Sequence, residues 1–502
     1  MNPSASKSKK IRLDWIDGIK AFAILGILLN HFVEPYAGGP WFSNPSYDWP
    51  AFETRIDAIF PEGNSMFSRI MIFLGWLGDM GPGVFILISG FTLALSQSKK
   101  HYSTSSFYTK RLLRIYPLYI AIHLIIIIFV LVTGQLQSFD IPKTILSFLG
   151  LRFFDFLFFY INPSWWFIWI ILQLYIFFPV LYKSLIKNQK AFLIGSFAFT
   201  ILARLAGLLE VSYSDNLYYW MTGMFFGTRL FEFTLEMYLG YLYYKQNSFF
   251  LNLLQNKQKI FLYSGIIYIA GFGLSLSYAG SLLSNILITI GLSGVFYGIY
   301  EYLRSGTVKK IIGRIGVLAF PVFLIHQPII IYNAQNFSFS TSVLLNIFFI
   351  ILCFPLGHYI NKLSDNTSNL ISNNIEMIKL YMNSRPTRVI IFSITLLSVC
   401  FSSIYFILDI SASIYYKLIL IGNIILLSVY YLFESNLLSN IRFTFTLVLI
   451  IMIGFYLFIF PDQWINHLAL ISVPGILIVF ISSRLATNKW FNLLYVILII
   501  IA

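Results

Sequence analysis

Two polar side chains, Lys20 and His31, lie in the first apolar segment of the chain, residues 14–33. Eleven residues separate them, so on a helix they share one face and lie about 16 Å apart along its axis. Histidine exchanges a proton near neutral pH without special tuning, which makes His31 a candidate general base. Lys20 is a candidate ligand for an anion, although it could also extend to the membrane boundary or pair with Asp17.

A second basic motif lies further along the chain, in Lys-Arg-Leu-Leu-Arg-Ile-Tyr-Pro at residues 110–117. Its Arg111 and Arg114 are three residues apart, so they fall on one face of a helix and could hold the phosphates of a ligand. Basic residues that anchor a membrane helix at its cytoplasmic end give the same pattern. The spacing alone leaves both interpretations open.

Other ionisable residues interrupt apolar segments, where such groups are usually functional. Arg229 and Glu232 are three residues apart and could neutralise each other, whereas Glu236, one turn further on, has no evident partner. His326 could orient a substrate or satisfy a neighbouring carbonyl group. We count Glu232, Glu236 and His326 as further site candidates.

Two uncharged residues complete the set of candidates. Ser89 stands near the end of a glycine-rich run, residues 78–91, and could donate a hydrogen bond to a developing oxyanion. Trp165 belongs to a tryptophan cluster that is typical of an interfacial aromatic belt, and it could also stack on a sugar ring. The glycines themselves are equally typical of close helix packing.

The composition indicates that the helices carrying these residues lie in a membrane. Of the 502 residues, 58% are hydrophobic and 11% are charged, a balance that a water-soluble core cannot accommodate. We predict an all-α, polytopic integral membrane protein with a ten-helix core and about five further C-terminal transmembrane helices. The core segments are residues 14–33, 70–96, 115–134, 164–182, 191–209, 226–244, 259–279, 283–303, 317–335 and 342–361. The C-terminal segments are residues 390–408, 414–433, 444–460, 468–483 and 490–502.

The basic residues alternate with the segments instead of clustering on one module. If the N-terminus is cytoplasmic, about 26 of the 34 Lys and Arg residues fall on the cytoplasmic side. The net charge of +14 therefore reflects membrane topology, and we expect no nucleic-acid partner. A basic stretch followed by an apolar one also fits a cleaved signal peptide, which would remove Lys20 and His31.

The chain divides where its composition changes. Residues 1–365 contain the ionisable groups inside apolar segments, residues 366–389 are polar and read as a cytoplasmic linker, and residues 390–502 form the C-terminal helical extension of unknown role. Arg152 and Asp155 interrupt the apolar stretch 143–163, which we therefore interpret as an interfacial or re-entrant piece and not as a span. Both cysteines lie in predicted spans, so the sequence supports neither a disulfide framework nor a thiol metal site.

Five motifs in residues 10–365 together resemble those of membrane acyltransferase family 3. The first is Asp-Gly-Ile-Lys followed ten residues later by His31, where the family more often has Arg in place of Lys20. The others are the basic motif at 110–117, the glycine-rich run at 78–91, the Trp-to-Pro span at 163–179 and Phe-Pro-Val-Phe-Leu-Ile-His-Gln-Pro at 320–328. In the fourth motif Gln173 replaces the acidic residue that many members carry.

The resemblance implies roles for these residues. Members of the family move acyl groups from cytoplasmic coenzyme A onto extracytoplasmic glycans and other hydroxyl acceptors, with a histidine as the essential base. The resemblance therefore implies that His31 is the base and that Lys20, Arg111 and Arg114 bind the acyl donor. That donor is expected to be acetyl-CoA or another acyl-CoA. A thioester donor needs neither a covalent intermediate nor a metal, and we expect none.

We therefore expect an O-acyltransferase, most often an O-acetyltransferase in this family, that acts on a glycan or lipid-linked sugar. The multi-pass protein would lie in the inner or sole cell membrane of a bacterium with its N-terminus in the cytoplasm. The chain shows no fused esterase-like domain, so we expect direct transfer or help from a separate envelope protein. The alternatives are a secondary transporter and a flippase-like or scaffold protein of envelope glycan assembly.

Overall fold

The computed structural model describes most of the first three quarters of the chain: residues 13–37, 80–135, 140–152, 155–210, 225–275 and 279–373, with Ser277 and a few single positions between 66 and 78. The chain divides into two compact units, residues 1–369 and 370–502. The predicted C-terminal spans at 390–502 lie outside the described residues. The last described helix continues to Asn373, which is inside the segment interpreted as a linker.

Every regular element of the described residues is helical, which confirms the predicted all-α class. Two short 3-10 helices, Pro163–Trp165 and Phe226–Arg229, each lead into an α helix. The α helices are α1 (Asp14–Ala37), α2 (Gly81–Lys100), α3 (Thr104–Val132), α4 (Ile141–Phe148), α5 (Asp155–Phe158), α6 (Trp166–Lys187), α7 (Gln189–Glu210), α8 (Leu230–Tyr244), α9 (Ser248–Gln255), α10 (Lys257–Ser275), α11 (Ser281–Tyr302), α12 (Gly306–Val317), α13 (Ala319–Asn336) and α14 (Phe339–Asn373).

Seven of these helices, α1, α2, α3, α6, α7, α11 and α14, are long and apolar enough to cross a membrane. An eighth span is formed if α12 and α13, which meet at an angle of 67°, count as one broken helix. The protein is therefore a polytopic membrane protein. Helices α8 and α10 also occupy predicted core segments but do not meet the same length and apolarity criteria, so the count of ten core spans stays a prediction.

Helix α1 is central to the described bundle, where it packs against α2, α11, α12 and α13. Small and β-branched residues on several sides of it, among them Ala21, Ala23 and Ile24, have no exposed surface. Close packing all round fixes the rotation of the helix about its axis. The polar residues of α1 are consequently held at defined positions inside the bundle.

Helices α2 and α8 approach each other at glycines. A side chain at Gly90 would overlap the carbonyl oxygen of Phe233, and one at Gly240 would overlap that of Phe91. Backbones can come this close only where no Cβ intervenes. At this position the glycine-rich run of α2 therefore serves helix packing.

The apolar stretch 143–163 does not form one long helix. It contains the short helices α4 and α5, and the fully buried Arg152 lies between them. The Arg152 guanidinium donates hydrogen bonds to the backbone oxygens of Leu157, Phe158 and Tyr160. The arginine thus satisfies carbonyl groups that a continuous helix would have paired internally.

A proline in α13 ties the segment that follows α5 to the bundle. Pro328 has no N–H, so the carbonyl oxygen of Leu324 lacks its usual partner one turn further on. The side-chain amide of Asn162 and the indole N–H of Trp165 both donate to that oxygen, each at 2.9 Å. The start of α6 is thereby fixed against the middle of α13.

Candidate functional site

His31 lies on α1 with a carboxylate beside it. Its Nδ1 is 2.9 Å from Oε2 of Glu34, one turn further along the same helix. The two side chains remain 18% and 26% exposed, so they border open space. Within the described part of the chain, Nε2 of His31 makes no hydrogen bond. A carboxylate on Nδ1 and an open Nε2 are what a histidine base requires.

Helix α13 brings two further polar side chains to the same place. The amide of Gln327 lies 3.2 Å from Nδ1 of His31, and the ring centroid of His326 is 5.2 Å from that of His31. His326 has no exposed surface, and its Nδ1 lies 2.8 Å from the carbonyl oxygen of Phe323. Ser164 bridges the pair: its hydroxyl bonds Oε1 of Gln327 and lies 3.4 Å from Nε2 of His326.

Aromatic side chains extend from the histidines toward the middle of α2. The ring of Phe323 packs against that of His326, with centroids 5.7 Å apart, and against those of Phe167 and Phe85 at 5.3 Å and 6.5 Å. Phe85 is one turn before Ser89 on the same face of α2. These rings make the surroundings of His326 apolar on this side.

Ser89 pairs with a hydroxyl that the sequence did not single out. Its Oγ lies 3.1 Å from the phenolic oxygen of Tyr175 on α6, and both side chains are half-buried. The ring of Tyr175 in turn contacts that of Phe107 on α3, with centroids 6.4 Å apart. One of the two hydroxyl groups donates its proton to the other, so the second hydroxyl proton is available for a further hydrogen bond.

A shallow basic cleft lies between the end of α2 and the start of α3. Arg111 lies over the ring of Phe107, 5.8 Å from its centroid, and Nζ of Lys110 lies 3.4 Å from the centroid of Tyr102. The cleft is lined by Leu93, Ser96, Gln97, Tyr102, Phe107, Lys110 and Arg111. Two cations and aromatic faces in one cleft suit a phosphate-bearing ligand.

The positive charge of the cleft acts on Tyr102, which lies in the loop between α2 and α3. Partial burial alone would raise the pKa of this phenol. A hydrogen bond with Ser96 and the nearby Lys110 and Lys100 ammonium groups outweigh that effect, so the pKa of Tyr102 is lowered. The same field favours any other anion at this position.

A continuous series of contacts links the cleft to His31. Arg111 packs on Phe107, Phe107 on Tyr175, and Tyr175 on Ser89, which is one turn from Phe85. Along α2, the distance from Gln97 in the cleft to Phe85 corresponds to about 18 Å of helical rise. From Phe85 the contacts continue through Phe323 to His326, which packs against His31. We call this series of packed side chains, from the basic cleft to the histidines, the path.

Arg114 does not join Arg111 in the cleft. It forms an ion pair with Asp365 of α14 at 3.5 Å, and the two side chains are 54% and 55% exposed. Nearby, the hydroxyl of Ser368 donates to the carbonyl oxygen of Leu113, which Pro117 leaves without a helical partner. The two arginines therefore do not act together: Arg111 lines the basic cleft, and Arg114 contacts another helix.

Lys20 bonds within its own helix. Its Nζ lies 3.4 Å from Oδ1 of Asp17, which is the pairing that the sequence left open. The side chain is 29% exposed and lies nearer the N-terminal end of α1 than His31 does. The structure therefore holds Lys20 and His31 in different local environments.

A separate buried cluster surrounds Glu232. The carboxylate accepts a hydrogen bond from Arg204 at 2.6 Å, and Arg229 is 3.6 Å from the same oxygen. Arg204 also donates to the carbonyl oxygens of Thr228 and Leu282. The sequence paired Glu232 with Arg229 alone and missed Arg204, whose only signal was one arginine in an otherwise apolar span.

The remaining candidates stand apart from His31 in their contacts. Trp165 has no exposed surface, and its indole N–H is used by Leu324, so it presents no face for stacking on a sugar. Glu236 is half-buried on α8 and has no hydrogen bond or ion pair with another described residue. Among the described residues, no group of three or more His, Cys, Asp or Glu side chains could hold a metal ion.

Comparison with known proteins identifies the family of the chain. The profile of the family described as an acyltransferase domain matches residues 13–361, which is more than two thirds of the chain. The match includes His31, the basic cleft and the buried histidine of α13. The chain therefore belongs to membrane acyltransferase family 3, and the family implies an acyl donor and a hydroxyl acceptor. No curated protein and no solved structure matches the chain significantly.

Proposed function

We propose that this protein is a membrane O-acyltransferase that moves an acyl group from acyl-CoA to a hydroxyl group of an extracytoplasmic or lipid-linked glycan. One observation carries the proposal: His31, with Glu34 on its Nδ1 and its Nε2 open, stands at one end of a path that begins at a basic cleft. A base at one end and a phosphate site at the other match the two ends of an acyl-CoA molecule.

The donor would bind with its phosphates at Arg111 and Lys110. Arg111 supplies a fork of donors and Lys110 a point charge, so both can pair with phosphate oxygens. The narrow pantetheine arm would follow Phe107, Tyr175 and Ser89. Lys20 is a second proposed donor contact, and Arg114 a weaker one because Asp365 already occupies it.

The chemical step would use His31 as general base. Nε2 takes the proton of the acceptor hydroxyl as its oxygen attacks the carbonyl carbon of the thioester. The carbon–sulfur bond then breaks, and the proton on His31 passes to the departing coenzyme A thiolate. Glu34 stabilises the imidazolium that forms between the two proton transfers. The hydroxyl proton that Ser89 and Tyr175 do not use between them can form a hydrogen bond to the thioester carbonyl or to an amide of the pantetheine arm.

The donor, the acceptor and the orientation come from the family and the charge pattern. We propose acetyl as the acyl group, a bacterial cell-envelope glycan as the acceptor and a cytoplasmic N-terminus. The basic cleft would then face the cytoplasm, where acyl-CoA is made. A separate envelope protein that receives the acyl group or presents the acceptor remains part of the proposal.

Acyl transfer from labelled acetyl-CoA tests the function. Membranes with the wild-type protein, membranes with His31→Ala and membranes without the protein would receive the label together with envelope glycan. We expect label in glycan with the wild type alone. If no label above the empty control appears with folded protein and several acyl donors and acceptors, the proposal is wrong. Movement of a glycan or solute without coenzyme A would instead indicate a transporter.

A further inference from the structure

The Nδ1 atom of His31 faces two neighbours with opposite needs. The Glu34 carboxylate, at 2.9 Å, can only accept a hydrogen bond. The Gln327 amide, at 3.2 Å, presents its nitrogen, which can only donate. A single ring nitrogen carries either a proton or a lone pair, so it cannot serve both neighbours in this arrangement.

The far end of the Gln327 amide decides which arrangement is stable. The hydroxyl of Ser164 has one proton and can give it either to Gln327 or to Nε2 of His326. Nδ1 of His326 points at the Phe323 carbonyl oxygen, an acceptor, so that nitrogen carries the proton and Nε2 is left as an acceptor. His326 has no exposed surface and Ser164 only 1%, so water does not replace these partners.

Rotating the Gln327 amide by 180° satisfies every member of the network. Its nitrogen then donates to the Ser164 oxygen, and the Ser164 hydroxyl donates to Nε2 of His326. The amide oxygen faces His31, whose Nδ1 proton is shared between that oxygen and Glu34. In the opposite orientation either Glu34 meets a lone pair of His31 or the Gln327 nitrogen meets a proton, and Nε2 of His326 meets the Ser164 oxygen without a proton between them. The second mismatch lies in a fully buried pair, where it is most unfavourable.

We propose that Gln327 is a positioning residue whose carbonyl oxygen faces His31 in the active enzyme, and that Ser164 and His326 hold the amide in this orientation. Because the amide then offers no donor to Nδ1, His31 keeps its proton there and leaves Nε2 bare as the base. Buried His326 therefore acts on His31 through Ser164 and Gln327. The inference rests on the proposed function only in taking His31 as the base.

Replacing His326 by phenylalanine is expected to reverse the network. The Ser164 hydroxyl loses its acceptor on His326 and donates to the Gln327 oxygen instead. The amide nitrogen then turns to His31 and favours the tautomer with a bare Nδ1. Adding Gln327→Met removes the amide N–H groups that face His31. In the double variant Nδ1 should therefore again carry the proton and donate it to Glu34.

Nitrogen NMR of the full-length protein in lipid nanodiscs, labelled at histidine, reads the tautomer directly. His31→Ala assigns the His31 signal among the six histidines. We expect a protonated Nδ1 in the wild type, a shift toward a protonated Nε2 in His326→Phe, and reversal in the double variant. In acyl transfer, His326→Phe should lower kcat at least about tenfold at unchanged KM for acyl-CoA, with partial recovery in the double variant.

His123→Phe is the matched control. His123 is likewise fully buried, and its Nε2 lies 3.3 Å from a serine hydroxyl, that of Ser147, outside this network. It should leave the His31 tautomer unchanged. A bare Nδ1 in the wild type overturns the proposal even if no variant folds, and so does a His31 signal that His326→Phe leaves unchanged. A wild type with the expected tautomer but no acyl transfer would refute the proposed function and leave this inference standing.

Discussion

Two clusters of polar residues lie among the apolar helices, and they differ in what they leave open. Around Glu232, both arginines and the carboxylate are buried, and Arg204 also uses the backbone carbonyls of Thr228 and Leu282. Around His31 the side chains are partly exposed, and Nε2 makes no hydrogen bond within the described residues. In the first, closed cluster the buried charges pair with one another, although Oε2 of Glu232 has no hydrogen bond with another described residue, whereas the second cluster has a titratable atom that borders open space.

The difference distinguishes polar residues that stabilise a membrane protein from polar residues that can take part in its chemistry. A charge that is buried with matched partners holds helices together, and removing one partner leaves the other uncompensated. A histidine with an oriented Nδ1 and an open Nε2 adds little to stability but can move a proton. Both clusters interrupt apolar segments, so the presence of ionisable residues there does not by itself distinguish them.

The largest expected effect breaks the closed cluster. Glu232→Ala leaves Arg204 and Arg229 buried without their carboxylate and should destabilise the protein by about 3–5 kcal/mol. The measurement is the thermal unfolding of purified protein in detergent, with yield as a second readout. His31→Ala is the control and should unfold near the wild-type temperature. Similar melting of the two variants would remove the distinction between the clusters.

Two hydrogen bonds between α2 and α6 allow the same comparison between a buried and a partly exposed polar group, with smaller expected effects. Tyr175→Phe removes the half-buried hydroxyl that faces Ser89, and Tyr182→Phe removes the buried one that bonds Ser98 at 2.8 Å. Losing a hydrogen bond to bound acyl-CoA costs about 0.5–1.5 kcal/mol, so Tyr175→Phe should raise KM for acyl-CoA a few-fold. Tyr182→Phe should lower the unfolding temperature and leave KM unchanged.

Equal effects of these two tyrosine variants on KM would contradict the path from the cleft to His31. Both substitutions remove one hydroxyl group from the same helix pair. Their different exposure is therefore the variable that the comparison isolates.

The sequence predicted the all-helical fold, and it proposed residues for both ends of the path. Apolar segments of about 20 residues identify α1, α2 and α3, and the spacing of Lys20 and His31 makes α1 the candidate functional helix. Arg111 was found because a short motif carries both its residue type and its position at the basic end. These features are local, so one stretch of sequence contains them.

Contacts between helices were beyond the sequence. Gln327 stands in the same short motif as His326, but its approach to His31, 296 residues away, depends on how α1 and α13 pack. Tyr175 and Arg204 were missed for the same reason, since their partners lie on other helices. Glu34 was within reach, because it lies one turn after His31 on the same helix.

The central claim divides the work between the two ends of the path, and donor binding measured beside acyl transfer tests it most directly. Wild type, His31→Ala and Arg111→Ala in nanodiscs would be titrated with acyl-CoA and then given acceptor, with Arg304→Ala, an exposed arginine outside the cleft, as the surface control. We predict that His31→Ala binds the donor like the wild type but transfers about 100-fold less or lower. Arg111→Ala should bind it about tenfold more weakly or worse, yet transfer normally at saturation. Equal losses of donor binding in His31→Ala and Arg111→Ala would contradict the account.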